Sequence, residues 1–324
     1  MKPLFKILLG VLILLVVSGI GGYFYMKRKF MPAPSQLAVA GLPATCRFTW
    51  LADTTAKPAM PHAALLLPVR LPGCPRTCYF QFDTGAPTSL MYGKALAALR
   101  GSYPALAQSL PAQADTLRNF RFGLGSGQVT ARRMRVFDYG KTELPADTTQ
   151  PFIIGTLGTD VLEGRVLVLD YARQHFTLEA TVPASLSRQA AFVPLQFTGR
   201  RVLLNATVQD EPRQLLFDSG SSAFSLLTSQ DTWQTMTQPG ADVQHAAVNS
   251  LGRTLHAYTA PTTTAMQLGQ VALPFRTVTY IEGTSLKESL LMRFSGMGGM
   301  LGNEPFAERT IILDTQGGRF GLVM

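Results

Sequence analysis

A short tripeptide occurs twice in the chain, and each copy closes a run of β-prone residues. The first copy, Asp83-Thr84-Gly85, follows the run Cys78–Phe82, and the second, Asp218-Ser219-Gly220, follows Leu215–Phe217. In both copies a strand is expected to deliver a carboxylate into a tight turn, where glycine permits backbone conformations that other residues avoid. One such tripeptide is ordinary turn chemistry, but two copies that each follow a phenylalanine indicate a duplicated unit.

A second segment recurs downstream of each tripeptide. The stretch 157–178 is repeated as 301–322, at a constant offset of 144 positions. It begins with matching apolar-apolar-Gly sequences, Thr156-Leu157-Gly158 and Met300-Leu301-Gly302. The two aspartates are only 135 positions apart, so the second copy carries nine extra residues between its tripeptide and its downstream segment. A repeat of this length is too long for a solenoid and suits a small domain.

These paired tripeptides and apolar-apolar-Gly segments resemble those of the aspartic peptidases, over roughly residues 48–324. The short repeats look closest to two retropepsin-like lobes in tandem, rather than to pepsin. The resemblance implies a mostly β fold: two homologous β-barrel-like lobes of the acid protease fold with an active-site cleft between them. It also implies that Asp83 and Asp218 are catalytic. Supporting roles around the two carboxylates are implied for Thr84, Gly85, Ser219, Gly220, Ser221, Leu157, Gly158, Leu301 and Gly302.

Two carboxylates held close together suit acid–base chemistry. They cannot both ionise cheaply, so they share a proton, and one acts as base while the other acts as acid. A water activated between them can attack an amide carbonyl without a covalent intermediate, a metal ion or a cofactor. The four histidines are scattered and match no zinc-binding pattern, so we expect neither a metal nor a cofactor.

The amino-terminal stretch Ile7–Met26 is apolar and uncharged, with lysines on both sides. Such a stretch is long enough to cross a bilayer as a helix. A single-pass membrane anchor is therefore predicted, with the lobes outside the cytoplasm, in the periplasm or the extracellular space. A cleaved signal peptide is the alternative, because Lys2 and Lys6 form a basic leader.

The repeat and the apolar segment together predict five regions. They are a transmembrane anchor or signal segment at 1–30, a proline-containing tether at 31–45, a first lobe at 46–180, a linker at 181–190 and a second lobe at 191–324.

Charge argues against a nucleic-acid partner. Five positive charges of a chain whose formal net charge is +9 lie in the first thirty residues, which contain no acid. The densest remaining basic cluster, Arg132-Arg133-Met134-Arg135, has the pattern of a solvated strand face. The remaining surplus is too small and too scattered for a nucleic-acid surface.

The glycine-rich stretch Gly123-Leu124-Gly125-Ser126-Gly127 predicts the tip of a hairpin. Its glycine spacing differs from that of a dinucleotide-binding loop, and no helical pattern follows it. The resemblance implies a flap that folds over the substrate here, and an ordinary surface hairpin is the alternative.

Two local features complete the predictions for the first repeat. Gly93–Leu110 has alanine and leucine at helical spacing and is the best helix candidate, although Gly101 and Pro104 interrupt it. Cys74 and Cys78 would form a disulfide before the first tripeptide if their Cα atoms come within about 7 Å.

The sequence therefore predicts a monomeric aspartic endopeptidase acting on polypeptide, attached to a membrane by its amino-terminal helix. The prediction of a monomer follows from the duplication, because each half carries a complete turn. A catalytically silent peptide-binding or sensor module on the same fold is the main alternative, and both intact Asp-Thr/Ser-Gly tripeptides argue against it. A two-carboxylate glycosidase is a further alternative. It would need its two acids at a wider spacing on separate strands, and the identical turns around both acids disfavour it.

Overall fold

The fold was analysed in a computed structural model, which describes residues 14–25, 31–54, 59–107, 109–111, 114–250, 253–283 and 297–324. Residues 14–25 form a helix with exposed side chains. Within the described ranges, no helix combines the length and the apolar character needed to cross a membrane. Part of the predicted span Ile7–Met26, namely residues 7–13 and 26, lies outside those ranges, as does Met1–Lys6. Residues Ser35–Met324 form one compact unit.

The compact unit is mostly β, as the sequence predicts. The strands of the first repeat are β1 (Leu37–Ala40), β2 (Ala44–Arg47), β3 (Thr49–Asp53), β4 (Met60–Arg70), β5 (Cys78–Phe82), β6 (Leu90–Tyr92), β7 (Thr116–Leu124), β8 (Gly127–Phe137), β9 (Ile153–Leu157), β10 (Val166–Asp170) and β11 (His175–Glu179). The strands of the second repeat are β12 (Ala190–Thr198), β13 (Arg201–Val208), β14 (Glu211–Phe217), β15 (Leu226–Leu227), β16 (Gln244–Ser250), β17 (Arg253–Pro261), β18 (Ala265–Leu268), β19 (Val271–Pro274), β20 (Thr277–Glu282), β21 (Met297–Leu301), β22 (Thr310–Asp314) and β23 (Arg319–Val323).

Helices in the compact unit are short. The predicted helix Gly93–Leu110 is shorter than expected: α1 (Gly93–Ser102) ends just before Pro104, and a 3-10 turn, Pro104–Ala107, follows it. Proline cannot donate a backbone hydrogen bond and disfavours helical geometry in the residue before it, which explains the early end. The remaining helices are α2 (Ala184–Gln189) and α3 (Gln230–Met236), with 3-10 turns at Thr159–Leu162, Ser219–Ser221 and Glu304–Phe306.

Two strands occupy part of the predicted tether 31–45, which is a correction. β1 pairs with β8 through Leu37 and Ala131, and β2 pairs with β11 through Cys46 and Phe176. The prolines that suggested a tether flank these strands without interrupting either of them. The predicted linker 181–190 contains α2, and its last residue, Ala190, begins β12.

The described strands form an eight-stranded sheet and a 15-stranded sheet. The eight-stranded sheet lies entirely in the first repeat, whereas β2, β10 and β11 leave that repeat and join the strands of the second. The predicted lobes 46–180 and 191–324 are therefore not independent sheets, because the larger sheet runs through both.

The strand pair β10–β22 shows why the two repeats join in this way. Val168 lies opposite Ile312, and Val166 lies opposite Asp314. Val168 and Ile312 are equivalent positions at the 144-residue offset, so the same strand from each repeat pairs with its own copy about a local two-fold axis. Val166, Val168 and Ile312 lie in one buried cluster, so this pairing brings apolar side chains of both copies together.

The hydrophobic core is continuous across the repeats. Phe82 and Phe217, which precede the two aspartates, are completely buried. Phe82 packs edge-to-face on Phe176, with ring centroids 5.2 Å apart, and Phe217 packs on Phe306 at 5.6 Å. These aromatic contacts fix the ends of the two strands that carry the aspartates.

The three cysteines are free thiols in this structure. Burial raises the pKa of Cys46 to about 12 and raises the pKa of Cys78 further. The Cys74 thiol lies within hydrogen-bonding reach of the Cys78 thiol, which also raises the Cys78 pKa. The two thiols are thus neighbours at the start of β5.

Candidate active site

Each aspartate is positioned by two parallel strands. β5 runs parallel to β9, and β14 runs parallel to β21, with the same register shift one residue into each pairing. The ladder continues into the turns, because the Asp83 amide donates to the Leu157 carbonyl at 3.1 Å and the Asp218 amide donates to the Leu301 carbonyl at 2.8 Å. Leu157 and Leu301, predicted as supporting residues, thus hold the start of each turn.

The glycine of each tripeptide orients its own aspartate. The Gly85 amide donates to Asp83 Oδ1 at 2.8 Å, and the Gly220 amide donates to Asp218 Oδ1 at 2.9 Å. One oxygen of each carboxylate is therefore held against the backbone, and the other is directed away from that bond.

The hydroxyl residues of the two tripeptides bind each other's turn. The Ser219 amide donates to Thr84 Oγ1 at 2.8 Å, and the Thr84 amide donates to Ser219 Oγ at 2.9 Å. Each hydroxyl also donates to the opposite strand, Thr84 to the Phe217 carbonyl at 2.7 Å and Ser219 to the Phe82 carbonyl at 3.1 Å. Both hydroxyl residues are completely buried. Four reciprocal hydrogen bonds therefore fix the two turns against each other.

This arrangement brings the two carboxyl groups together. A Cβ atom built on Gly85 would lie 2.6 Å from Asp218 Oδ1, and one built on Gly220 would lie 2.5 Å from Asp83 Oδ1. Each glycine is required because the opposite carboxylate occupies the space of a side chain. Burial, together with the charge of Asp218 and a hydrogen bond to its carboxyl, raises the pKa of Asp83 well above its usual range. The pair is therefore built to hold a proton that a solvated aspartate would have lost.

The two sides of the pair differ at one position. The Ser221 hydroxyl donates to Asp218 Oδ2 at 2.9 Å. The corresponding residue of the first repeat is Ala86, whose side chain cannot donate. A hydrogen bond to a carboxylate stabilises its negative charge, so the two carboxyl groups have unequal surroundings.

The glycines of the apolar-apolar-Gly segments lie against the turns, as predicted. A Cβ on Gly158 would lie 2.5 Å from the Ala86 carbonyl oxygen, and one on Gly302 would collide with the carbonyl oxygens of Ser221 and Phe224. Both glycines allow the downstream segment to pass directly beside the turn.

The predicted flap, Gly123–Gly127, lies elsewhere. Leu124 pairs with Val69, and Val69 pairs with Cys78, the first residue of β5. Asp83 follows the far end of that strand, about 16 Å away at the usual rise per residue. The flap prediction for this stretch is therefore corrected.

Contacts of the hairpin tip explain its position. Ser126 Oγ donates to the Pro43 carbonyl at 2.9 Å, and the Thr45 amide donates to Ser126 Oγ at 3.2 Å. The glycines serve this packing, because a Cβ on Gly125 would collide with the Thr45 carbonyl. The stretch is a surface hairpin folded onto the segment before β2.

A pair of acids next to the turns was not predicted as part of the site. Asp160 accepts hydrogen bonds from the Ser89 amide at 2.9 Å and from its hydroxyl at 2.6 Å, and Glu304 accepts one from the Ser225 hydroxyl. Each acid stands two residues after the glycine of its apolar-apolar-Gly segment. The recurrence of an acid at this position in both repeats was the available signal.

Asn303 is a further residue that sequence reasoning missed. Its amide donates to the Ser219 carbonyl at 3.2 Å and to Ser222 Oγ at 2.9 Å, and it accepts from the Tyr171 hydroxyl at 2.7 Å. It thereby connects the second turn to the first repeat. The described part of the chain contains no group of three or more His, Cys, Asp or Glu side chains placed to hold a metal ion.

Comparison of the chain with protein-family models and with curated proteins gave no match.

Proposed function

We propose that the chain is an aspartic endopeptidase of the acid protease fold, with Asp83 and Asp218 as its catalytic pair. The observation that carries the proposal is the reciprocal bonding of Thr84 and Ser219, which places two carboxylates side by side about a local two-fold axis. The raised pKa of Asp83 supports a shared proton at neutral or mildly acidic pH. A carboxylate pair with one proton can act as base and acid in the same step.

The asymmetry at Ser221 supports different roles for the two aspartates in the proposed mechanism. Asp218, which accepts the Ser221 hydroxyl, is the ionised base, and Asp83 is the protonated acid. Asp218 takes a proton from water as the water oxygen attacks the peptide carbonyl carbon, and Asp83 gives its proton to the carbonyl oxygen. The resulting tetrahedral diol collapses when its nitrogen receives a proton from Asp218 and the C–N bond breaks. Asp83 then recovers the hydroxyl proton as the new carboxylic acid forms.

Hydrolysis of an unfolded protein tests the proposal. The full-length chain, purified in mild detergent, should cleave it in an acidic to neutral pH range, and a hydroxyl-containing peptide that mimics the tetrahedral intermediate should inhibit cleavage. Asp83→Asn and Asp218→Asn should each lower kcat at least about a thousandfold, because an amide cannot transfer the proton. Asp242→Asn, at an exposed aspartate, is the matched control. Full activity in either active-site variant would overturn the assignment.

Mixing experiments test the proposed monomer. Since each chain carries both turns, a mixture of the Asp83→Asn and Asp218→Asn proteins should stay inactive. Restored activity would indicate that the pair forms between two chains. A protein that binds the inhibitor and never cleaves would instead be a silent peptide-binding module.

The proposed location is a membrane with the compact unit outside the cytoplasm, and it rests on the uncharged stretch Ile7–Met26. After cell fractionation the chain should stay with membranes through an alkaline wash, and deletion of residues 1–30 should release it. Recovery of a shortened soluble protein would identify a signal peptide.

A further inference from the structure

A cavity of about 340 Å³ lies beside the Asp218 turn. The first repeat contributes Trp50, Met60 and His62 to its wall, and the second contributes Phe224 and Ala246 among others. Most of this wall is apolar, and the volume is within the range of small-molecule and side-chain pockets.

The equivalent corner beside the Asp83 turn is filled. Arg200, in the turn between β12 and β13, is 5 % exposed. Its Nε donates to Glu163 at 3.1 Å, and its Nη1 donates to the Pro87 carbonyl at 3.1 Å. The Thr159 hydroxyl donates to the Arg200 carbonyl at 2.6 Å. This arginine closes the space next to the first turn.

Strand register identifies the counterpart of Arg200. Leu66 pairs with Gln81, and Leu203 pairs with Leu216. Gln81 and Leu216 both stand two residues before an aspartate, so Leu66 and Leu203 correspond. Three residues before these positions stand Ala63 in the first repeat and Arg200 in the second.

The groups that hold Arg200 are also replaced. At the 144-residue offset, Glu163 corresponds to Ala307, and at the 135-residue offset, Pro87 and Thr88 correspond to Ser222 and Ala223. Ala307, Ser222 and Ala223 all line the cavity. An arginine–glutamate pair in one corner is thus replaced by two alanines in the other.

The cavity wall follows the Asp218 turn directly in the chain. Ser222 and Ala223 directly follow Ser221, whose hydroxyl binds Asp218. Ser222 stands only four residues after Asp218. An extended peptide advances about 3.3 Å per residue, so the proposal requires a side chain within a few residues of the scissile bond to enter the cavity.

The one acid beside the cavity is already occupied. Glu304 accepts from the Ser225 hydroxyl and pairs with Arg276 Nε at 3.1 Å. A cationic side chain would have to displace these partners, whereas an apolar side chain would only need to cover Trp50, Met60 and Phe224.

We propose that this cavity binds one large apolar or aromatic side chain of the substrate, and that the Arg200 corner excludes such a side chain on the other side of the scissile bond. The proposal rests on the proposed function and names its substrate class: polypeptide segments with a bulky apolar residue on one side only of the cleaved bond.

Rebuilding the filled corner in the second repeat tests the proposal. In the full-length protein, Ala63→Arg combined with Ala307→Glu should close the cavity. We expect kcat/KM to fall on the order of 10- to 100-fold for peptides with phenylalanine at the position whose side chain enters the cavity, and to fall much less for peptides with alanine there. Ala107→Glu combined with Ala272→Arg, at exposed alanines away from the cavity, is the matched control. Ala307→Trp alone provides a second variant if the paired substitution does not fold.

A binding measurement separates this proposal from the proposed function. The chain has two tryptophans, so Trp233→Phe leaves Trp50 as a reporter in the cavity wall. In the Asp218→Asn background, a phenylalanine-containing peptide should change the Trp50 fluorescence emission more strongly than its alanine analogue does. The Ala307→Trp variant is not used in this assay, because it would add a second tryptophan.

The outcomes distinguish the two proposals. Peptide binding at Trp50 without cleavage by the wild type would overturn the peptidase assignment and keep the pocket. Cleavage with the same preference in wild type and cavity-closing variants, together with unchanged Trp50 emission, would overturn the pocket and keep the peptidase.

Discussion

The two turns that carry Asp83 and Asp218 are nearly identical where they face each other and differ where they face outward. Thr84 and Ser219 exchange the same four hydrogen bonds, so the interface between the turns is symmetric. On the outer side, Ser221 replaces Ala86 and an open cavity replaces the buried Arg200. The comparison indicates that the shared interface tolerates little change, because each group there serves both repeats, whereas the outer positions serve one repeat and can specialise.

Among the substitutions that test this comparison, those of the glycines between the carboxylates have the largest expected effect. Gly85→Ala and Gly220→Ala should each lower kcat/KM at least about a hundredfold, because the new methyl group would displace the opposite carboxylate by up to about 1 Å. Peptide hydrolysis rates measure the effect. Gly101→Ala, where a Cβ has no neighbour within 4 Å, is the control. If only one glycine variant lost activity, the two turns would not contribute equally to the active site.

The hydroxyls that bind the turns should contribute equally to stability. Thr84→Val and Ser219→Ala should each lower the free energy of unfolding by about 2–4 kcal/mol, because each leaves a buried amide and a buried carbonyl without a partner. Chemical denaturation checks this. The double variant should lower the free energy of unfolding by less than the sum of the two single variants, since the four hydrogen bonds form one network. Strict additivity would mean that the two hydroxyls act independently.

Ser221 gives a smaller and one-sided effect. Ser221→Ala should lower kcat about tenfold, because Asp218 loses a hydrogen bond to its charged form. Ala86→Ser would place a donor beside Asp83 and should move the alkaline limb of the pH–rate profile to lower pH, since the shared proton is held less tightly. If the two substitutions changed kcat and the pH–rate profile equally, the assignment of Asp83 as acid and Asp218 as base would be contradicted.

The smallest effect concerns stability as a function of pH. Burial and the neighbouring Asp218 raise the pKa of Asp83 to about 8 in the folded protein. The folded state therefore binds more protons than the unfolded state between about pH 4 and about pH 8, and stability falls as pH rises through that range. Asp83→Asn should relieve this and raise the Tm at neutral pH by a few degrees, with no gain below about pH 4. A Tm difference that is independent of pH would show that Asp83 ionises normally.

Much of the site could be predicted because the duplication marked it. The tripeptides at Asp83 and Asp218 and the segments ending in Gly158 and Gly302 recur in the sequence, and the structure brings all four to one place. The β-rich class also agreed with local patterns, because the β-prone runs before each aspartate are recognisable over a few positions of the sequence.

The position of the glycine-rich hairpin could not be predicted in the same way. The residues 123–127 specify a turn, but its placement depends on the pairing of Leu124 with Val69 and on contacts with Pro43 and Thr45. These partners are distant in sequence, so no local sequence pattern predicts the contacts with them. The same holds for β1 and β2. They also pair with strands distant in sequence, and the prolines beside them led to the prediction of a tether.

By itself, the sequence determined that this protein has two copies of one carboxylate-bearing turn, because repetition is visible at any distance along the chain. Only the tertiary structure decided how the copies differ in use. Arg200 fills the corner beside the first turn, where it pairs with Glu163. Ala63 and Ala307 stand at the equivalent positions of the other corner, and Ala307 lines the open cavity there. Close packing turns such differences in side-chain volume into the presence or absence of a pocket.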